Sequence, residues 1–193
     1  MLGLKLPTDP RWVKLVESNI SEILTDHAWC EQKAASNAIT IIVRFSEHGE
    51  MVESLAKIAI EEMEHFNMVL AKIKERGFKL GPERKDDYVN DLMKFTNKGG
   101  GKTQQLVDRL LFAAMIEARS CERFKLLSEK ADDADLREFY RELMISEATH
   151  YTTFIGFARM YAEGIDVEKR WQEFLDYEAE VIANYGKRET IHG

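Results

Sequence analysis

Apolar positions recur at three- and four-residue spacing along most of the chain, the rhythm of helices rather than strands. Trp12, Leu15, Val16, Ile20, Ile23 and Leu24 form the first such stripe. A helix is therefore predicted from just after Asp9-Pro10, a cap residue followed by proline at the first helical position, to about Phe45. Ser46-Glu47-His48-Gly49 interrupts the pattern, and a second helix is predicted from about Glu50 to Arg76, with Gly77 as its stop. A long connection, 77–103, holds Gly81-Pro82, a short helix at about Asp87 to Phe95, and Gly99-Gly100-Gly101. The third helix runs from about Thr103 to Lys130, Asp132-Asp133 makes a turn, and the fourth covers roughly Ala134 to Ala162 before Gly164. Asp166 is placed to cap a fifth helix, about 166–185, followed by Gly186 and a polar tail.

Two short turns flanking one long crossover describe an all-α, ferritin-like four-helix bundle with an additional C-terminal helix. The two helical hairpins form an internal pseudo-repeat. At 193 residues the expectation is one domain spanning 1–193. The composition, 45% hydrophobic and 32% charged with only 3 Pro, supports long helices.

Each hairpin carries the same chemistry. Glu62-x-x-His65 and Glu147-x-x-His150 place a carboxylate and an imidazole on one helix face. Glu31 precedes Glu62 by 31 residues, and Glu117 precedes Glu147 by 30. One glutamate from each of two helices plus a Glu-x-x-His from each of two others is the ligand set of a di-iron carboxylate bundle. With 23 glutamates and 5 histidines, chance alone gives roughly 0.6 such motifs, so duplication and matched spacing carry the signal. Glu189-x-x-His192 lies in the polar tail, with no helical pattern behind it, and is read as coincidence. Four carboxylates and two imidazoles suit two iron ions, with manganese also accommodated and dioxygen as the expected co-substrate.

Glu122 competes with Glu117, because Cys30-Glu31 resembles Cys121-Glu122. Level decides for Glu117. It lies about 16 residues before Asp133, and Glu147 about 14 after it, whereas Glu122 sits about 140° round the helix from Glu117. Glu61 and Ser146 directly precede ligand glutamates and are placed to hydrogen-bond a ligand histidine from the facing helix. His27, one turn before Glu31, reads as a packed or surface residue first and as a site-lining group second. Tyr140 and Tyr151 read as core aromatics.

The net charge of −7 requires any nucleic-acid partner to meet a local basic patch. Residues 72–102 hold nine Lys or Arg, Lys98 and Lys102 among them, against five acids. That segment reads as an ordinary solvated connection first and as a phosphate-binding edge second. No apolar run is long enough to span a membrane, and the apolar part of the start is too short for a secretory signal. Cys30 and Cys121 read as two buried thiols in a reducing cytosol.

Longer strings carry a family resemblance. Leu24-Thr25-Asp26-His27-Ala28-Trp29-Cys30-Glu31-Gln32-Lys33-Ala34-Ala35-Ser36 is similar to the first-helix signature of the tRNA 2-methylthio-isopentenyladenosine hydroxylases. Ile116-Glu117-Ala118-Arg119-Ser120-Cys121-Glu122-Arg123-Phe124 resembles their third-helix signature. Glu61-Glu62-Met63-Glu64-His65-Phe66 and Ser146-Glu147-Ala148-Thr149-His150 resemble their remaining ligand motifs. The resemblance implies oxygen-dependent hydroxylation of a prenyl side chain on the adenosine next to the anticodon. It also implies a cytoplasmic enzyme with an iron pair on Glu31, Glu62, His65, Glu117, Glu147 and His150, a tRNA substrate and an external electron donor. A monomer or dimer is expected rather than a cage. The rival readings are a ferroxidase or iron-handling protein and a rubrerythrin-like peroxidase, although this chain has no Cys-x-x-Cys pair.

Overall fold

A computed structural model describes residues 2–96 and 99–185; the Glu189-x-x-His192 motif and Lys98 lie outside them. The described residues form seven helices and no strand. They are α1 (Trp12–Ser18), α2 (Ile20–Arg44), α3 (Gly49–Glu75), α4 (Asp87–Lys94), α5 (Lys102–Lys130), α6 (Ala134–Met160) and α7 (Val167–Tyr185). The element order, two long hairpins joined by a crossover with a further helix at the end, is that of the ferritin-like all-α class.

The chain divides into two compact units. One, Val16–Lys85, is built on the α2–α3 hairpin. Its apolar seam includes Ile23, Leu24, Ala35, Ala38 and Ile41 from α2 and Met51, Leu55, Ile58 and Val69 from α3, all buried. Gly77 ends α3 at φ +72, with Phe78 N–H donating to Ile73 O and Gly77 N–H to Lys74 O, each at 3.0 Å. This is the paired bonding of a Schellman stop, which needs the left-handed conformation that glycine adopts freely. The chain then returns along α2. Trp29 Nε1 donates to Gly81 O at 3.0 Å, Gly81 N–H reaches Thr25 Oγ1 at 3.4 Å, and Arg84 pairs with Glu22.

The predicted first helix is in fact two. Asn19 takes a non-helical conformation (φ −131°, ψ 34°) and separates α1 from α2. Ser18 and Asn19 are weak helix formers whose side chains compete for backbone groups, so a break there costs little. The apolar stripe continues on both sides of the break, which hides it from periodicity.

The other unit holds the first fifteen residues and the chain from Asp86. Aspartates start α4, α6 and α7. Asp86 accepts from Val89 N–H at 2.9 Å, Asp133 from Asp135 and Leu136 N–H, and Asp166 from Lys169 N–H at 2.9 Å. Helix α5 is buried round most of its circumference, since α6, α7 and α4 all pack on it. Phe95 ties α4 to α7, stacking on Tyr177 (centroids 4.5 Å apart) and meeting Phe174 edge-on. Arg170 lies over Phe95 and bonds Asp108 of α5 at 2.8 and 2.9 Å.

Candidate metal centre

Within the first hairpin, α2 supplies Glu31 and α3 supplies Glu62 and His65. All three are buried, Glu62 completely. His65 Nδ1 lies 3.5 Å from Glu62 Oε2 and 3.8 Å from Glu31 Oε2. One ligand atom from each falls within 4.8 Å of the others, so the trio could hold a metal ion. Burial and the neighbouring Glu62 carboxylate push Glu31 up to about 8. Burial alone would lower His65, but hydrogen bonds and charge from Glu31 and Glu62 outweigh it and raise the imidazole to about 11. Two carboxylates crowded in a dry site repel each other unless a cation or proton sits between them. A divalent ion meets that need, so the donor set fits a metal.

The second hairpin repeats the arrangement with Glu117 from α5 and Glu147 and His150 from α6. These too are buried, and His150 Nδ1 faces Glu117 Oε2 at 3.9 Å. In both trios it is the histidine Nδ1 that turns toward the partner glutamate. His150 Nε2 is met at 3.5 Å, the long limit of a hydrogen bond, by Ser146 Oγ one turn earlier on its own helix. Ser146 was expected to reach a histidine across the bundle. The i,i+4 geometry of α6 brings it to His150 on its own helix as well. Glu61 is half-buried.

Glu122 is engaged elsewhere. Its carboxylate accepts Thr8 N–H (3.0 Å), Thr8 Oγ1–H (2.6 Å) and Arg119 Nη1 (3.0 Å). Arg119, fully buried, also donates to Glu178 Oε1 of α7 at 2.6 and 2.9 Å and to Leu6 O at 3.0 Å. Tyr88 OH adds a 3.1 Å bond to the same Glu178 oxygen. Arg123 reaches Thr8 Oγ1 at 3.3 Å and lies over the Trp12 ring. This network ties the N-terminal segment, α4 and α7 to α5, and it went unforeseen because its partners are far apart in sequence. The two cysteines are buried thiols, not joined in a disulfide. Burial, with Glu147 and Glu122 nearby, raises the Cys121 thiol to about 11. Tyr140 is core, packed on Phe124 and Phe139.

A helical protein with a buried Glu, Glu and His trio in each of two long hairpins belongs to the ferritin-like carboxylate class. The comparisons narrow this. Residues 2–193 match the family described as tRNA-(MS[2]IO[6]A)-hydroxylase (MiaE), and the chain belongs to that family. The tRNA 2-(methylsulfanyl)-N(6)-isopentenyladenosine(37) hydroxylase of Pseudomonas putida is 32% identical over 189 residues, 98% of this chain and 91% of that protein. The hydroxylase of the same name from Salmonella typhimurium is 24% identical, covering 98% and 87%. A solved structure, Protein 43 with aldehyde deformylating oxygenase activity from Synechococcus, is similar with a TM-score of 0.89 and 34% identity, over 98% of this chain and 95% of that one.

Proposed function

We propose that the protein is an oxygen-dependent di-iron hydroxylase. Its substrate would be the isopentenyl side chain of 2-methylthio-isopentenyladenosine next to the anticodon in tRNA. The observation that carries this reading is the second buried Glu-x-x-His with its own partner glutamate, in a chain matched to the hydroxylase family from end to end. Ferritins generally lack that second histidine. In this reading Glu31, Glu62, His65, Glu117, Glu147 and His150 together hold two iron ions, and the same donors also accommodate manganese.

Two irons held there would supply the reduction of dioxygen that lets an allylic C–H bond of the prenyl group react. One oxygen atom enters the side chain and the other leaves as water, so each turnover draws two electrons and two protons from an external donor. The protein's share is to keep the six ligands dry and oriented. Burial of both trios excludes water that would quench the oxidant, and Ser146 steadies His150 so that Nδ1 faces inward.

In this reading tRNA is the partner and the enzyme works in the cytoplasm. Among the described residues no helix is long and apolar enough to cross a membrane. Part of the basic segment 72–102 is already neutralised, since Lys72 bonds Glu75, Lys94 bonds Asp91 and Arg84 pairs with Glu22. Lys98 and Lys102, at the end of that segment, serve to test a phosphate edge. The double reversal K98E/K102E is expected to weaken tRNA binding several-fold at low salt with iron content unchanged, as removal of two phosphate contacts requires. Unchanged affinity in a filter-binding assay would assign tRNA contact to another face.

The direct test is a single turnover. Protein loaded with ferrous iron is mixed with tRNA bearing the prenylated adenosine and oxygen, and the nucleosides are analysed by mass spectrometry. Gain of one oxygen atom on that nucleoside, abolished in Glu147→Ala, is expected. Iron oxidation with no change in the nucleoside would move the function to ferroxidase chemistry. Deformylation of an aldehyde in its place would move it to the activity named for the Synechococcus protein.

A further inference from the structure

His27 is fully buried on α2, one helical turn before Glu31. Its Nε2 stands 2.6 Å from Glu31 Oε1, while the other oxygen, Oε2, faces His65 Nδ1 at 3.8 Å. The two oxygens of one carboxylate are thus divided between two imidazoles. One imidazole belongs to the trio and the other does not. A glutamate that binds a metal ion does so as a carboxylate, which has no hydrogen to give, so with an ion on Glu31 the 2.6 Å contact needs His27 Nε2–H as its donor.

The consequence is geometric. The terminal torsion of a glutamate is broad, and a free carboxylate can meet an ion through either oxygen or both. A short bond to Oε1 within the same helix removes that freedom and presents Oε2. The turn carrying His27 is itself clamped. Thr25 and Trp29, two residues to either side, both bond the backbone of Gly81, and a side chain on Gly81 would come within 3.2 Å of Thr25 Cγ2. No water need enter to satisfy the carboxylate, because the imidazole occupies that position.

We propose that His27 is a positioning residue that donates to Glu31 Oε1 and restricts Glu31 to binding a metal ion through Oε2. The inference rests on the reading of Glu31 as a ligand given above. Three variants test it. His27→Gln keeps an N–H donor at nearly the reach of Nε2, whereas His27→Phe and His27→Met remove it.

Ferrous-iron affinity and Mössbauer spectra of the 57Fe-loaded proteins are compared, with circular dichroism confirming the fold of each. Wild type and His27→Gln are expected to share affinity and spectrum. The donorless variants are expected to bind iron roughly 10–100-fold more weakly, with an altered signal from one of the two irons. Wild-type affinity and spectrum in a folded donorless variant overturn the proposal. So does a folded His27→Gln that fails as badly as His27→Phe, because His27 would then be a ligand itself. Should neither donorless variant fold, His27→Gln still decides by keeping or losing the wild-type spectrum. Wild-type protein that takes up no iron overturns the metal reading and this inference together.

Discussion

Glu117→Ala, loaded with ferrous iron and desalted, is expected to lose most of its iron, whereas Glu122→Ala is expected to keep it. The two glutamates lie five residues apart on α5 and are both largely buried, yet they are committed to different partners. Glu117 Oε2 faces His150 Nδ1, the imidazole of the second Glu-x-x-His. Glu122 accepts three hydrogen bonds from Thr8 and Arg119 and has little left to offer an ion. Removing Glu122 strands the Thr8 donors and one arm of Arg119, at a cost of about 1–3 kcal/mol in stability. The two variants should therefore separate cleanly: one loses metal with modest change in melting temperature, the other loses stability with metal retained. Metal analysis alongside thermal melts reads both. Loss of iron from Glu122→Ala alone would reverse the assignment on α5.

How far the sequence anticipates this structure depends on whether the deciding interaction is local. Helix ends at Asp86, Asp133, Asp166 and Gly77 follow from capping chemistry within three or four residues, and they were legible. The choice of Glu117 over Glu122 came from the rise of a helix away from a turn, which is also local. The break at Asn19 was not legible, because the stripe from Trp12 to Leu24 has the same period on either side of it. His27 reads from sequence as a packed or surface residue first and as a site-lining group second, although its i,i+4 spacing to Glu31 holds the signal for the bond seen here. Arg119 and Glu178 are 59 residues apart, and each looks like a solvated charge on an amphipathic helix. Only packing makes them partners.

Arg119→Met is expected to be the most destabilising single substitution outside the metal trios, lowering the melting temperature by roughly 10 °C. Breaking a buried ion pair by deleting one partner costs about 3–5 kcal/mol, and a chain of this size shifts by about 2–4 °C per kcal/mol. Without Arg119, Glu178 would be a wholly buried carboxylate whose remaining hydrogen bond comes from the Tyr88 hydroxyl, with Arg123 as its nearby cation, and Glu122 would keep its bonds from Thr8. The converse change should be milder. Glu178→Leu leaves Arg119 bonded to Glu122 and to Leu6 O, so its charge stays compensated. Combining the two should recover part of the loss, since the Glu178 carboxylate is no longer left buried without Arg119. The order expected is wild type, then Glu178→Leu, then the double variant or close to it, then Arg119→Met. Because the network holds helices rather than an ion, iron uptake well below each melting temperature should stay near the wild-type level. Equal and small effects of the two single changes would show that the pair contributes little. A loss of iron in folded Arg119→Met would instead extend the metal centre's support to the far side of α5.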